Sequence, residues 1–218
     1  MIARWPAPGG EEYALSFDSG RPVRILVVPA LLDEGHKLRR MTVEIMRRLH
    51  ASGHDCFLPD YPGQNESLAP LASQTLQGWQ ETLEDAAAYF RASHVLTVRG
   101  GAMLAPALPG WRYAPQAGAR QLQGLLRARV IASREAGLSE TTADLLERGQ
   151  MEGLDLSGYA MGPAMIAALQ AAPLPQNDRW FDIAHTDIGG TAPWLRAEPG
   201  YDPAQADALA AIVAMALA

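Results

Sequence analysis

His94-Val95-Leu96-Thr97-Val98-Arg99-Gly100-Gly101-Ala102 is the stretch on which the reading of this chain turns. His94 to Val98 is a short β-branched run that passes without a spacer into small residues, then into the apolar, helix-compatible Met103-Leu104-Ala105. A strand that turns sharply into a helix through small residues is the setting of the G-x-S-x-G nucleophile turn, because the tight bend leaves almost no room around its exposed central residue. Here the same frame reads Thr97-Val98-Arg99-Gly100-Gly101. The centre is a guanidinium, which keeps its proton at any working pH and so cannot attack a carbonyl.

Working outward, strands and helices alternate. Tyr13 to Phe17 and Arg24 to Ala30 read as strands, the second containing the near-continuous apolar run Ile25-Leu26-Val27-Val28 of a strand buried on both faces. The spacing of Leu38, Met41, Ile45 and Leu49 predicts a helix over Lys37 to Ala51, ended by Ser52-Gly53. Asp55 to Pro59 follows as a strand, Gln74 to Arg91 as a helix and His94 to Val98 as the strand before Arg99. The order β-α-β-α-β points to a parallel sheet with helices on both faces. Residues 116–149 carry arginines among leucines and read as wholly helical, an insertion that would form a lid over the carboxyl ends of the strands. Leu154 to Ser157 then reads as a strand, followed by a turn and an alanine-rich helix to Ala172. Asp178 to His185 and Ala192 to Ala197 are expected as the last strands, and Ala204 to Ala218 as a closing helix.

A length of 218 residues suits a single α/β domain spanning 1–218. The net charge of −6 and the absence of a basic stripe argue against nucleic acid as a partner. Cys56 is the only cysteine, so there is no disulfide framework, and its apolar surroundings predict a buried, inert thiol. No stretch reaches the roughly 18 apolar residues of a membrane span, and the first residues lack a long apolar segment, which predicts a cytoplasmic protein without an integral membrane segment. No HExxH, CxxC, Walker or G-x-G-x-x-G motif occurs, so neither a cofactor nor a metal is expected.

Several segments together resemble one family. Pro29-Ala30-Leu31-Leu32-Asp33-Glu34-Gly35-His36, continuing to Met41, is similar to the oxyanion-loop region of α/β-hydrolase-fold proteins that accompany exosortase systems in exopolysaccharide gene clusters. Leu58 to Ser67 resembles that family's D-x-x-G-x-G-x-S turn, and Gly78-Trp79 resembles its paired residues in the following helix. Val98-Arg99-Gly100-Gly101 is similar to a variant in which the family itself carries arginine, and Ser157 to Met161 and Pro193 to Pro199 share the likeness. The resemblance implies an α/β-hydrolase fold, a mostly parallel sheet flanked by helices with a helical lid, and a place for Glu34 and Asp60 near the site.

An active enzyme of this fold needs a nucleophile at the elbow, a later acid and a histidine after the last strand. After Ala192 to Ala197 the chain offers Glu198-Pro199-Gly200-Tyr201-Asp202 and no histidine, so an acid such as Asp187 has nothing to orient. Gly158-Tyr159-Ala160-Met161-Gly162 imitates a second elbow with an unreactive alanine at its centre, and Ser67 and Ser157 suit turns or caps. His94 begins the elbow strand at the end away from the site, and His185 lies at a carboxyl end. His36 precedes the first long helix, where a loop supplies an oxyanion-hole amide. Two readings of Arg99 stand side by side. It pairs with an acid such as Glu34 or Asp60, or it joins the amides of Gly100 and Gly101 at a helix N-terminus to receive a carboxylate or phosphate. Candidate ligand-binding residues are therefore Arg99, Gly100, Gly101, Glu34, His36 and Asp60. The expectation is a catalytically degenerate accessory protein that binds a small anionic ligand or a partner protein in exopolysaccharide production. The alternative is an active hydrolase of the esterase or thioesterase class with an unconventional residue set.

Overall fold

In the computed structural model, which describes residues 1–196 and 198–217, strands β1 (Ile2–Ala7), β2 (Gly10–Phe17) and β3 (Arg24–Val28) lead into helix α1 (Leu32–Ala51). Strand β4 (Asp55–Pro59), helix α2 (Leu76–Tyr89) and strand β5 (His94–Val98) follow, then a 3-10 turn over Arg99–Leu104 and strand β6 (Gly110–Tyr113). Helices α3 (Gly118–Glu135) and α4 (Thr142–Glu152), strands β7 (Leu154–Leu156) and β8 (Tyr159–Met161) and helix α5 (Pro163–Ala171) make up the middle. The chain finishes with β9 (Trp180–Ile183), the short α6 (His185–Ile188), a 3-10 turn at Pro193–Leu195 and α7 (Pro203–Met215).

Seven strands form one sheet in the order β1-β2-β4-β3-β5-β6-β9. β1 and β2 join antiparallel and the five strands from β4 to β9 run parallel. Alternation along β3 builds two cores. Leu26 and Val28 face a cluster with Phe57, Trp79, Leu83, Leu122 and Leu169, while Ile25 and Val27 face Met41, Ile45, Leu209 and Val213. The expected helical spacing in α1 thus meets α7 on one face of the sheet, and α2, α3 and α5 cover the other. Caps mark the helix starts: Thr75 accepts from the Gly78 amide at 3.0 Å and Asp202 from the Ala204 amide at 2.9 Å. Among the described residues no helix is long and apolar enough to cross a membrane.

Several boundaries depart from the sequence expectation. α1 starts at Leu32, not Lys37, so Glu34 and His36 lie in its first turns and not on a loop. Strands β1 and β6 are absent from the sequence expectation: β1 contains Pro6 and only Trp5 of its six residues is buried, and β6 is only four residues long between Pro109 and Pro115. Gly110 opens β6 because a β-carbon there would lie 1.8 Å from the Val95 carbonyl oxygen. Residues 116–149 are two helices broken at Gly137, which takes φ 75°. Leu154 to Ser157 joins β8 in a separate hairpin whose turn, Ser157-Gly158, has φ 58° and 85°. The strand expected over Ala192 to Ala197 is replaced by a 3-10 turn, since Pro193 has no N–H for a ladder; Ala197 lies outside the described residues.

Candidate functional site

β3 leads to β4 on one side and to β5 on the other, so the order of the parallel strands reverses between β3 and β5, and a ligand crevice in such a sheet opens outside the carboxyl ends at that point. Arg99 stands there, directly after Val98 at the carboxyl end of β5. Its backbone is left-handed, φ 53°. A non-glycine residue holds that conformation only where its surroundings impose it, and such residues gather at functional sites. Of the six non-glycine residues with positive φ among those described, five border the carboxyl end of the sheet: Leu32, Asn65, Arg99, Ala114 and Ser157. Gly101 follows because a β-carbon there would lie 2.3 Å from the Pro29 carbonyl oxygen. The strand and the tight turn of the elbow frame are therefore present, but the helix expected after them is only a 3-10 turn over Arg99–Leu104 that leads to β6.

Arg99 itself is 8 % exposed and its donors are engaged. Nε donates to Glu34 Oε2 at 3.0 Å and Nη2 to Glu34 Oε1 at 3.1 Å, a two-pronged pair of the geometry guanidinium and carboxylate favour. Nη1 donates to the Ala114 carbonyl at 3.0 Å and Nη2 also to Gln116 Oε1. The network continues inward. Gln116 Nε2 donates to Gln121 Oε1 at 3.0 Å, and Gln121 Nε2 donates to the Leu31 carbonyl at 3.3 Å. Trp194 covers the guanidinium with its ring centroid 4.0 Å away. A closed polar network running from Glu34 through Arg99, Gln116 and Gln121 to the loop after β3 fills the ground beside the elbow.

The expectation that Arg99 and the amides of Gly100 and Gly101 receive an anion is corrected by these contacts. Glu34 already supplies the anion, and Gly100 and Gly101 are buried, with Leu31 and Gln121 packed against Gly100. Glu34 alone of the acids named from sequence joins Arg99. Asp60, 2 % exposed, accepts from Arg39 Nη1 at 3.1 Å and Asn65 Nδ2 at 2.7 Å; burial pushes its carboxyl upward and Arg39 pulls it back down. His36 is exposed on α1 and lines a different cavity from Arg99.

His185 does reach the neighbourhood. Its Nε2 lies 3.1 Å from the Gly190 carbonyl, which can only accept, so Nε2 carries the proton and Nδ1 accepts from the Tyr113 hydroxyl at 2.7 Å. Burial pushes the Tyr113 phenol up, against the pull of the Arg99 charge. Trp194 packs edge-on to His185 at 5.1 Å, joining it to Arg99 by stacking and not by a proton path. Asp187 accepts from the Ala184 amide at 2.8 Å as a turn partner of its own helix. Ser67 accepts from the Gly63 amide and donates to Glu12, a turn role. Gln116, Gln121 and Trp194 were missed from sequence, because glutamine and tryptophan carry no spacing signal and their partners are remote in the chain.

Above the network opens a cleft of about 700 Å³, walled by α3 and Trp194. Four cations, Lys37, Arg99, Arg120 and Arg127, face two carboxylates, Asp33 and Glu34. Arg99 is paired with Glu34 and Lys37 with Asp33 at 2.9 Å. Arg120 and Arg127 have no ion-pair partner among the described residues, and they stand two turns apart, about 10.5 Å, on one face of α3. No group of three or more His, Cys, Asp or Glu side chains suited to a metal occurs among the described residues.

No protein-family model matches the chain, and no curated protein matches it in sequence. Solved structures do match in fold. Alpha/beta hydrolase domain-containing protein 10 from mouse superposes with a TM-score of 0.54 at 13 % identity, over 84 % of this chain and 77 % of that one. The alpha/beta hydrolase GrgF from Penicillium sp. sh18 gives 0.52 at 12 % identity, over 80 % and 73 %. A candidate hydrolase from Agrobacterium vitis S4 gives 0.52 at 15 % identity, over 78 % and 71 %. At these identities the likeness concerns the fold alone: this chain has the α/β-hydrolase fold, with a mostly parallel central sheet flanked by helices.

Proposed function

We propose that this chain is a hydrolase-fold protein that does not hydrolyse, and that it serves as an accessory protein taking a small anionic ligand in the cleft over Arg99. The engagement of Arg99 carries this reading. A guanidinium held by Glu34, Ala114 and Gln116 under Trp194 fills the elbow, where an acyl-transfer enzyme holds its nucleophile. His185, which shares Trp194 with Arg99, spends both ring nitrogens on Tyr113 and Gly190. With Arg99 and Lys37 neutralised, the anion falls to Arg120 and Arg127, and Trp194 offers an apolar wall. Placement in exosortase-type exopolysaccharide production rests on the resemblance of the segments around Pro29, Asp60 and Arg99.

Two measurements on purified protein test the reading. Hydrolysis of p-nitrophenyl butyrate is expected to match the buffer control, and turnover abolished by Arg99→Ala overturns the non-hydrolytic claim in favour of an unconventional esterase. Glucuronate and inorganic phosphate, screened by thermal shift, should include one that stabilises the wild type, since a ligand at about 100 times its Kd adds roughly 2.7 kcal/mol. That shift should disappear in the Arg120→Gln/Arg127→Gln variant. An equal shift in both proteins reflects exclusion of the salt from the surface and rejects the anion site.

A further inference from the structure

A second cavity, of about 190 Å³, lies on the opposite side of the first turns of α1 from Arg99. Helical geometry makes the partition: Asp33, Glu34 and Lys37 line the cleft, while Gly35, His36 and Arg39 line this cavity. The β7–β8 turn completes it, with Ser157 on the cleft and Tyr159 on the cavity. No residue lines both.

The polar groups here are numerous and underused. Gln64 is 9 % exposed; its Nε2 donates to the Gly63 carbonyl at 3.2 Å, and its Oε1 has no protein partner among the described residues. That oxygen is reached by solvent from the cavity side, so it is open to a ligand hydroxyl. The Tyr159 hydroxyl and the His36 ring nitrogens likewise have no protein partner among the described residues, and Arg39 bonds through Nη1 alone, leaving Nε and Nη2 free. The floor is fixed by strained backbone. Leu32 takes φ 55° and Asn65 φ 49°, and a β-carbon on Gly63 would lie 2.8 Å from the Leu71 Cα.

Size and charge narrow the occupant. The volume is the room of roughly six waters at about 30 Å³ each, enough for one small ring or a short chain. The Arg39 charge is spent on Asp60, and Glu66 also bears on Asp60 with a negative charge, so an anion would find no net attraction. A hydroxyl both donates and accepts. The free guanidinium edge, the amide oxygen of Gln64, the phenol of Tyr159 and the imidazole of His36 supply both kinds of partner at close quarters. We propose that this cavity binds one compact, uncharged polyhydroxyl molecule of about the size of a single sugar ring, independently of the cleft over Arg99. Specificity follows from several donors and acceptors lining one small volume, since a site built to bond hydroxyls rejects analogues that lack them.

The experiment is a titration of ¹⁵N-labelled full-length protein, followed through the amides of Gly35, Gly63 and Asn65 for the cavity and of Gly124, with the Trp194 indole, for the cleft. The probes are glycerol, myo-inositol, D-glucose and, at matched ionic strength, inorganic phosphate. At least one polyol is expected to shift the three cavity amides saturably and to leave Gly124 and Trp194 unmoved. Gln64→Leu, close in volume but without the amide, should weaken that polyol about tenfold, the loss of one or two hydrogen bonds. Tyr159→Phe should weaken it too and serves as the second variant where Gln64→Leu does not fold. Arg120→Gln/Arg127→Gln should bind as wild type, which separates failure here from failure of the cleft reading. The proposal is overturned if no polyol shifts the cavity amides, if phosphate saturates them more tightly than the best polyol, or if the folded cavity variants bind that polyol as wild type does.

Discussion

Removing a charge from a buried pair leaves its partner stranded, and the cost exceeds what the pair itself contributed. The side chains of Arg99 and Glu34 are 10 % and 16 % exposed and share two hydrogen bonds. Truncating one partner of a well-buried pair costs roughly 3–5 kcal/mol, and since water still reaches Glu34, about 3 kcal/mol is expected for Arg99→Met. Urea unfolding checks it, and Arg99→Met with Glu34→Gln should recover part of the loss. A loss below about 1 kcal/mol, the worth of an exposed pair, would mean that Arg99 does not hold the elbow to α1. At this scale the sequence named the pair as one of two readings. It could not choose, because Glu34 and Arg99 are 65 residues apart and only the β3–β5 pairing brings α1 over the elbow.

Among the elements, α3 and α4 are tied by one carboxylate. Glu140, in the connection between them, accepts from Ser133 Oγ and from Arg129 Nε at 3.0 Å on α3, and from Arg148 Nη2 at 2.7 Å on α4. Those hydrogen bonds, led by Ser133, hold its carboxyl at about 2, below the ordinary 4.5. A carboxyl depressed in the folded state adds stability that is fully present above the unfolded value and is lost as pH falls through the folded one. The contribution of Glu140 should therefore stand above about pH 4.5 and fade between there and pH 2. Glu140→Gln should be less stable than wild type at pH 7, with the two converging across that window in amide-exchange protection of α3 and α4. A gap independent of pH would place its origin outside this ionisation. Helices in this region were legible from leucine spacing, whereas the break at Gly137 and the separate β7–β8 hairpin were not, since both depend on left-handed turn residues inside a polar run.

The whole molecule is a seven-stranded sheet between two apolar layers, and Cys56 in β4 reports on it. Its thiol is fully buried and pushed up to about 12 by that burial, with the Asp55 charge adding to it. Thiolate is the reactive form, so both access and ionisation protect it. A disulfide reagent such as DTNB at pH 8 should leave the native protein unmodified over hours and react fully in denaturant, with native-state labelling following global opening. Stoichiometric labelling within minutes under native conditions would show that β4 opens on its own.

What the sequence determined is local in origin. The β-α-β-α-β alternation, the buried run Ile25-Leu26-Val27-Val28, the apolar face of α1 and the small residues after Val98 follow from side-chain period and from the room a tight turn allows, so they can be read a few residues at a time. Tertiary structure decided the rest. It paired Arg99 with Glu34, and it brought Gln116, Gln121 and Trp194 to the elbow. It also set His36 apart from Arg99, because neighbouring positions in the first turns of α1 face two different cavities, and it held Asp60, just after β4, to Arg39 and Asn65. Motif and resemblance name residues without saying which helix face they occupy, since which face meets which loop is fixed by the packing of the whole sheet.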